Sequence, residues 1–248
     1  MSKDVYRDFT AILLAGGEGK RLGLKDKPKP MVIVVNRPVL EKGVARLKEV
    51  GFNRNSTVCV VGHKSEAVIN HFGNKLIYAY QPQIDGNASA IKHGVAAIER
   101  PPDNILVVQG DDCEFLSSKV LRNLMECHIA RESEITILLT PHVDESTHTV
   151  GVEISNNKEI LRIKPRMECD EQSRYYAGVF VFSKPIIEGD LFRRLEQETP
   201  EGLELGIGKL IRIAIKEQRS VYGIDSSDPW VALNTPRGID LARNISRV

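Results

Sequence analysis

The 248-residue sequence predicts an α/β fold: a doubly wound, mostly parallel sheet with a small β-hairpin extension. Three observations predict it. Short apolar runs alternate with segments of helical spacing from Ile12 to Asp225. Several runs stop at a glycine (Gly16 after Leu14-Ala15, Gly62 after Val61, Gly110 after Gln109), as strands do where chain and ligand meet closely. One pair of extended segments, 150–154 and 159–164, flanks Asn156-Asn157, a hairpin turn signal.

Composition narrows the function. This length suits one α/β domain over residues 1–248, and a hydrophobic fraction of 42% supports a sizeable core. A net charge of +1 argues against nucleic acid or a membrane surface as partner. No apolar run approaches the ~18 residues of a membrane span. The opening MSKDVYRDF lacks the apolar segment of a signal peptide, so a cytoplasmic location is expected. Cys59, Cys113, Cys127 and Cys169 form no C-x-x-C pair and read as ordinary reduced thiols. There is no repeat or low-complexity tract, and the oligomeric state stays open, a homo-oligomer included.

In order along the chain, Ile12-Leu13-Leu14 reads as a buried parallel strand ending in Ala15-Gly16-Gly17-Glu18-Gly19. Lys20, Arg21, Lys25, Lys27 and Lys29 follow, with Asp26 the single acid among them. A strand, a glycine turn and a cationic loop suit a phosphate-bearing ligand, whose oxygens need backbone N–H groups and neutralising charge. The dinucleotide fingerprint fails, because Leu22 stands where its third glycine belongs. The Walker A loop fails too, with Leu14 at its first glycine and Arg21 after Gly19-Lys20. What remains, L-A-G-G-x-G-x-R-L followed by K-P-K-P-M, resembles the signature of the sugar-1-phosphate nucleotidyltransferases.

Met31 to Val35 reads as extended. Val39 to Val50 has helical spacing and stops at Gly51. A strand at 57–61, a helix at 65–72 and a strand at 76–80 follow. Then comes Gln81-Pro82-Gln83-Ile84-Asp85-Gly86-Asn87-Ala88-Ser89-Ala90, where Pro82 ends the strand and a helix begins near Ala88. A Gln amide offers donor and acceptor together, enough to read the imide edge of a pyrimidine. The run resembles Q-P-x-x-D-G-x-A-x-A of thymidylyltransferases and, more loosely, the matching uridylyltransferase loop. That resemblance implies base contacts from Gln81 and the Gly86 backbone.

Ile105 to Val108 makes a central strand that ends in Gln109-Gly110-Asp111-Asp112. One carboxylate there could merely cap a helix, but Ser117 or Ser118 is better placed before the helix at 119–129. Two adjacent acids facing a phosphate site suggest Mg²⁺, which favours one or two carboxylates plus phosphate and water. A strand at 134–140 and a polar loop from His142 to His148 precede the hairpin. Tyr175 to Phe182 is a strand, 191–198 and 203–216 look helical, and 220–225 is a strand. Trp230 to Pro236 leads into a last helix at 237–246, with Asn234 or Thr235 as its cap.

The resemblance runs in the family's order from Thr10 to Ala242. It implies a Rossmann-like fold and Mg²⁺-dependent transfer of a nucleotidyl group from an NTP, UTP or dTTP favoured, to a sugar-1-phosphate. It implies a nucleotide site of Leu14, Ala15, Gly16, Gly17, Gly19, Gln81, Gly86 and Asn87. Arg21 would stabilise the leaving pyrophosphate and Lys29 the α-phosphate. Asp111 and Asn234 would bind the metal, and Lys164, with Gly151 and Gly178, the sugar phosphate. Ile163 stands where the family's E-K-P motif has its Glu, which puts the acceptor in question. A cytidylyl- or molybdopterin-type transferase with a non-sugar acceptor is therefore a competing reading. So is a non-catalytic sensing homologue, although such proteins lose the Arg, Lys or acid that Arg21, Lys29 and Asp111 supply here.

Overall fold

A computed structural model describes residues 6, 8–24, 26–100, 102–140, 151–164, 168–169 and 173–247. The polar loop at 142–148, Lys25 and Pro165 lie outside them.

The strands are β1 (Phe9–Leu14), β2 (Thr57–Val61), β3 (Ile77–Tyr80), β4 (Asn104–Gln109), β5 (Ile135–Thr140), β6 (Gly151–Ile154), β7 (Ile160–Lys164), β8 (Arg174–Ser183) and β9 (Val221–Asp225). Seven line up in the order β3-β2-β1-β4-β8-β5-β9. The sheet is mostly parallel, as the sequence predicts: β3, β2, β1 and β4 run together, and β5 runs with β9. β8 runs against both β4 and β5. An apolar strand buried on both faces reads the same in either direction, so its sequence did not disclose this. The expected hairpin is β6–β7, attached to the start of β8 through Gly151↔Tyr175.

Helices are α1 (Val39–Val50), α2 (Ser65–Phe72), α3 (Asn87–Ala96), α4 (Ser118–Ala130), α5 (Lys184–Glu188), α6 (Leu191–Glu198), α7 (Ile207–Lys216) and α8 (Pro236–Ile245). All six positions of β1 are buried because helices cover both faces. Ala11 and Leu13 face one apolar cluster, shared with Leu40 and Leu47 of α1, Leu121 and Leu124 of α4 and Ala242 of α8. Ile12 and Leu14 face the other, shared with Ile91 of α3, Leu195 of α6 and Leu210 of α7. Among the described residues, no helix is long and apolar enough to cross a membrane.

Beyond shifts of a residue, two boundaries and one unnamed element differ from expectation. Lys29–Met31 forms a 3₁₀ turn rather than the start of an extended segment, since Pro28 and Pro30 fix φ and favour a tight turn. α7 begins at Ile207, not 203, because Leu205 N–H is bonded to Asp85 in the loop before α3 and its C=O to Ala88 in the first turn of α3. α5, a five-residue turn opened by Pro185, is too short to show helical periodicity.

Candidate active site

The register aligns the carboxyl ends of the first strands: Leu14 lies beside Val60 and Gln109, and Val61 beside Tyr80. The segments that follow those ends surround a cleft of about 520 Å³. Leu14, Gly16, Gly17, Arg21, Gln81, Gly86, Asn87, Asp111, Gly178 and Asn234 all line it. Of the expected residues, Ala15, Gly19, Lys29, Gly151 and Lys164 do not.

The glycine turn is pinned from two sides. Ala15 N–H donates to Val60 C=O at 2.7 Å, and Gly17 C=O accepts from Lys29 N–H at 3.1 Å. Gly19 packs behind the turn, against Leu24 and the Lys29 side chain. Arg21 is exposed on the rim and makes no hydrogen bond or ion pair with the described residues. A guanidinium left free beside a glycine turn is suited to an incoming anion.

Lys29 stands behind the cleft wall and joins its parts. Its Nζ donates to an Asp111 carboxylate oxygen and, at 2.6 Å, to Asn234 Oδ1. The choice of helix cap is settled by the same geometry. Thr235 Oγ1 accepts from Gly238 N–H and caps α8, which frees the Asn234 amide for Lys29. Glu114, three residues beyond Asp111, is buried against Lys42 of α1, which ties down the acidic turn.

Asp112 differs from its neighbour. Its burial, and then the Asp111 charge, raise its pKa well above the ordinary carboxylate range. Gly178 of β8, at φ +72°, lies directly against this carboxyl, where any Cβ would collide with it.

An Asp111 carboxylate oxygen and the Asn234 amide oxygen both accept from the Lys29 ammonium, so a metal held by these two oxygens would replace that ammonium or share them with it. Among the described residues, no three His, Cys, Asp or Glu side chains gather as metal ligands. The protein would thus offer two oxygens, with the remainder from phosphate and water, a set that suits Mg²⁺.

The loop after β3 holds the Gln81 side chain in one orientation. Gln81 is buried, and its Nε2 donates to Asp85 Oδ1 and to Gly86 C=O, both at 3.0 Å. Only Oε1 remains for a ligand, not the donor and acceptor together that the residue type suggests. Asn87 lines the cleft, but its Oδ1 is taken by Ile207 N–H at 2.7 Å.

That last bond brings in a wall the sequence did not signal. Glu204, Gly206, Ile207 and Gly208, at the start of α7, line the cleft next to the loop after β3, to which Leu205 and Ile207 are hydrogen-bonded. They lie over a hundred residues from Gln81, and Leu203 to Gly208 matches no motif; its glycines were the only hint. Tyr176 and Trp230 also line the cleft and were not singled out as site residues.

Gly151 and Lys164 are register partners at the base of the hairpin. Lys164 Nζ reaches Ser173 Oγ at 3.4 Å. Gly151 is needed there, since a Cβ would strike Cys169 Sγ. Ile163 is buried in the core and presents no polar group to an acceptor.

A family model described as nucleotidyl transferase matches residues 10–237. The chain is 27% identical over 234 residues to the bifunctional protein GlmU of Staphylococcus epidermidis, an alignment covering 90% of this chain and 49% of GlmU. It is 27% identical over 185 residues to the D-glycero-alpha-D-manno-heptose 1-phosphate guanylyltransferase of Aneurinibacillus thermoaerophilus, covering 72% of this chain and 76% of that protein. The chain spans about half the length of the GlmU relatives it matches. A crystal structure from Bacillus anthracis, described as a glucose-1-phosphate thymidylyltransferase, superposes with a TM-score of 0.77. That match covers 96% of this chain and 95% of the other, and at 19% identity it bears on the fold alone.

Proposed function

The chain belongs to the nucleotidyl transferase family, and on that premise we propose that it transfers a nucleotidyl group from an NTP to a sugar-1-phosphate. The products are pyrophosphate and an NDP-sugar, and UTP or dTTP is the preferred donor. The observation that carries the reading is the Lys29–Asp111–Asn234 contact. Three residues from three separate motifs meet at one charged point, beside a glycine turn with a free guanidinium.

The acceptor's phosphate oxygen attacks the α-phosphorus in line with the departing pyrophosphate, so no protein nucleophile is required. Catalysis is positioning and charge stabilisation. The Gly16–Gly17 turn admits the triphosphate close to the backbone. Arg21 meets the leaving pyrophosphate, Lys29 the α-phosphate, and Lys164 steers the acceptor. Asp111 and Asn234 would hold Mg²⁺, which when bound neutralises charge on the phosphate oxygens. We place the reaction in the cytoplasm, where the free thiols stay reduced, and take residues 1–248 as one domain.

Buried Ile163 favours one second reading, a phosphorylated acceptor that is not a sugar. Both are tested by a matrix of five nucleoside triphosphates against sugar-1-phosphates and non-sugar phosphates, with and without Mg²⁺. The expected result is Mg²⁺-dependent pyrophosphate release with UTP or dTTP and at least one sugar-1-phosphate. Release only with non-sugar acceptors selects the second reading, and no release under any condition overturns both.

A further inference from the structure

The base loop has a polarity that sequence alone does not reveal. The Gln81 amide nitrogen faces two groups that can only accept, an Asp85 carboxylate oxygen and the Gly86 carbonyl. Reversing the amide would set Oε1 against two oxygens, so its orientation is fixed by the partners. Oε1 points the other way, lies against Gly16, and takes no hydrogen bond from the described residues.

The frame around this amide is rigid. Asp85 C=O accepts from Leu205 N–H at 2.6 Å, and Leu205 C=O accepts from Ala88 N–H at 2.9 Å. Gly86, at φ +123°, sits so close to the Leu205 backbone that any side chain there would collide. Gly86 N–H donates to none of the described residues, and Gly86 lines the cleft. Gln81 Oε1 and Gly86 N–H are therefore an acceptor and a donor that the described residues leave unused, in two residues that line the same cleft.

We infer that Asp85 is a positioning residue which, by holding the Gln81 amide in this orientation, selects bases presenting a ring N–H next to a carbonyl. Uracil and thymine present that pair at N3–H and O4, and guanine at N1–H and O6. Cytosine and adenine present the reverse, a bare ring nitrogen beside an amino group. They would set lone pair against lone pair and hydrogen against hydrogen. The inference rests on the nucleotide site proposed above and assigns its discrimination to a residue one step removed from the base.

The test is calorimetric binding of uridine and cytidine diphosphates to the full chain, with kcat/KM for UTP and CTP measured in parallel. The wild type should prefer uridine. Asp85→Ala should cut the uridine-to-cytidine ratio about tenfold, the scale of one hydrogen bond. Asp85→Asn keeps an acceptor oxygen and should hold the ratio within about threefold. An Asp85→Ala variant that weakens both ligands equally has lost only structure, and overturns the inference. So does a wild type that binds cytidine diphosphate as tightly as uridine diphosphate, or binds neither. If the binding ratios behave as expected but no pyrophosphate is released, the transferase reading falls and the role of Asp85 stands.

Discussion

The Lys29 ammonium lies between an Asp111 carboxylate oxygen and the Asn234 amide oxygen, so the Asp111 charge is compensated before any phosphate arrives. Replacing that charge by a near-isosteric amide leaves the packing in place while removing the stabilisation proposed for the reacting phosphates. Asp111→Asn should therefore lower kcat by ~10²–10³ with a melting temperature close to wild type. A near-normal rate with Mg²⁺ would move the metal role to another group. Arg21 has no partner to lose among the described residues, so Arg21→Ala should leave thermal stability unchanged while crippling synthesis and pyrophosphorolysis together. Arg21→Lys should rescue poorly, because lysine lacks the planar fork. Equal, wild-type rates in both directions would make Arg21 an ordinary surface residue. The cleft positions of Asp111 and Arg21 were legible in the sequence because each lies in the turn that follows a strand end. The one-sided amide of Gln81 was not, because it depends on what Asp85 and Gly86 do in three dimensions.

At the level of elements, α4 is joined to the sheet by a polar contact inside the core. His128, in its last turn, is bonded through Nδ1 to Thr136 Oγ1 of β5 at 2.8 Å and through Nε2 to Asn104 Oδ1 of β4 at 3.1 Å. Asn104 Oδ1 accepts, so Nε2 carries the hydrogen and Nδ1 accepts from the Thr136 hydroxyl, which describes a neutral ring. Burial lowers the His128 pKa from 6.5 to about 4. Between those values the unfolded chain binds a proton that the native protein refuses. The contribution is complete above pH 6.5 and is lost as pH falls toward 4, to a limit of roughly 3 kcal/mol. Urea midpoints measured from pH 7.5 down to 4.5 should show this decline in the wild type, and His128→Gln should flatten it. Identical profiles would assign acid sensitivity elsewhere. Helices such as α2 and α6 were readable to the residue from apolar spacing. The start of α7 was not, because hydrogen bonds to a distant loop, rather than its own periodicity, decide where it begins.

For the molecule as a whole, the motifs fall at one edge of the sheet because parallel strands end on the same side and the register keeps those ends level. That much follows from alternating strands and helices, and it is why about half of the cleft lining could be named beforehand. The place of β8 could not be. Among the described residues it is the strand that joins the β3-β2-β1-β4 half to the β5–β9 half, and it follows β5 in the chain. This has a consequence for the protein as it is being synthesised. By the time β4 has left the ribosome its four-stranded half can assemble, but the open side of β4 stays bare until residue 183 has been added. β5 emerges first and has neither neighbour available, so a nascent chain paused between the two exposes an apolar strand edge and an unpaired apolar strand. Such an intermediate is prone to aggregate and invites chaperone capture, and elongation speed across this interval bears directly on how much soluble protein a cell obtains.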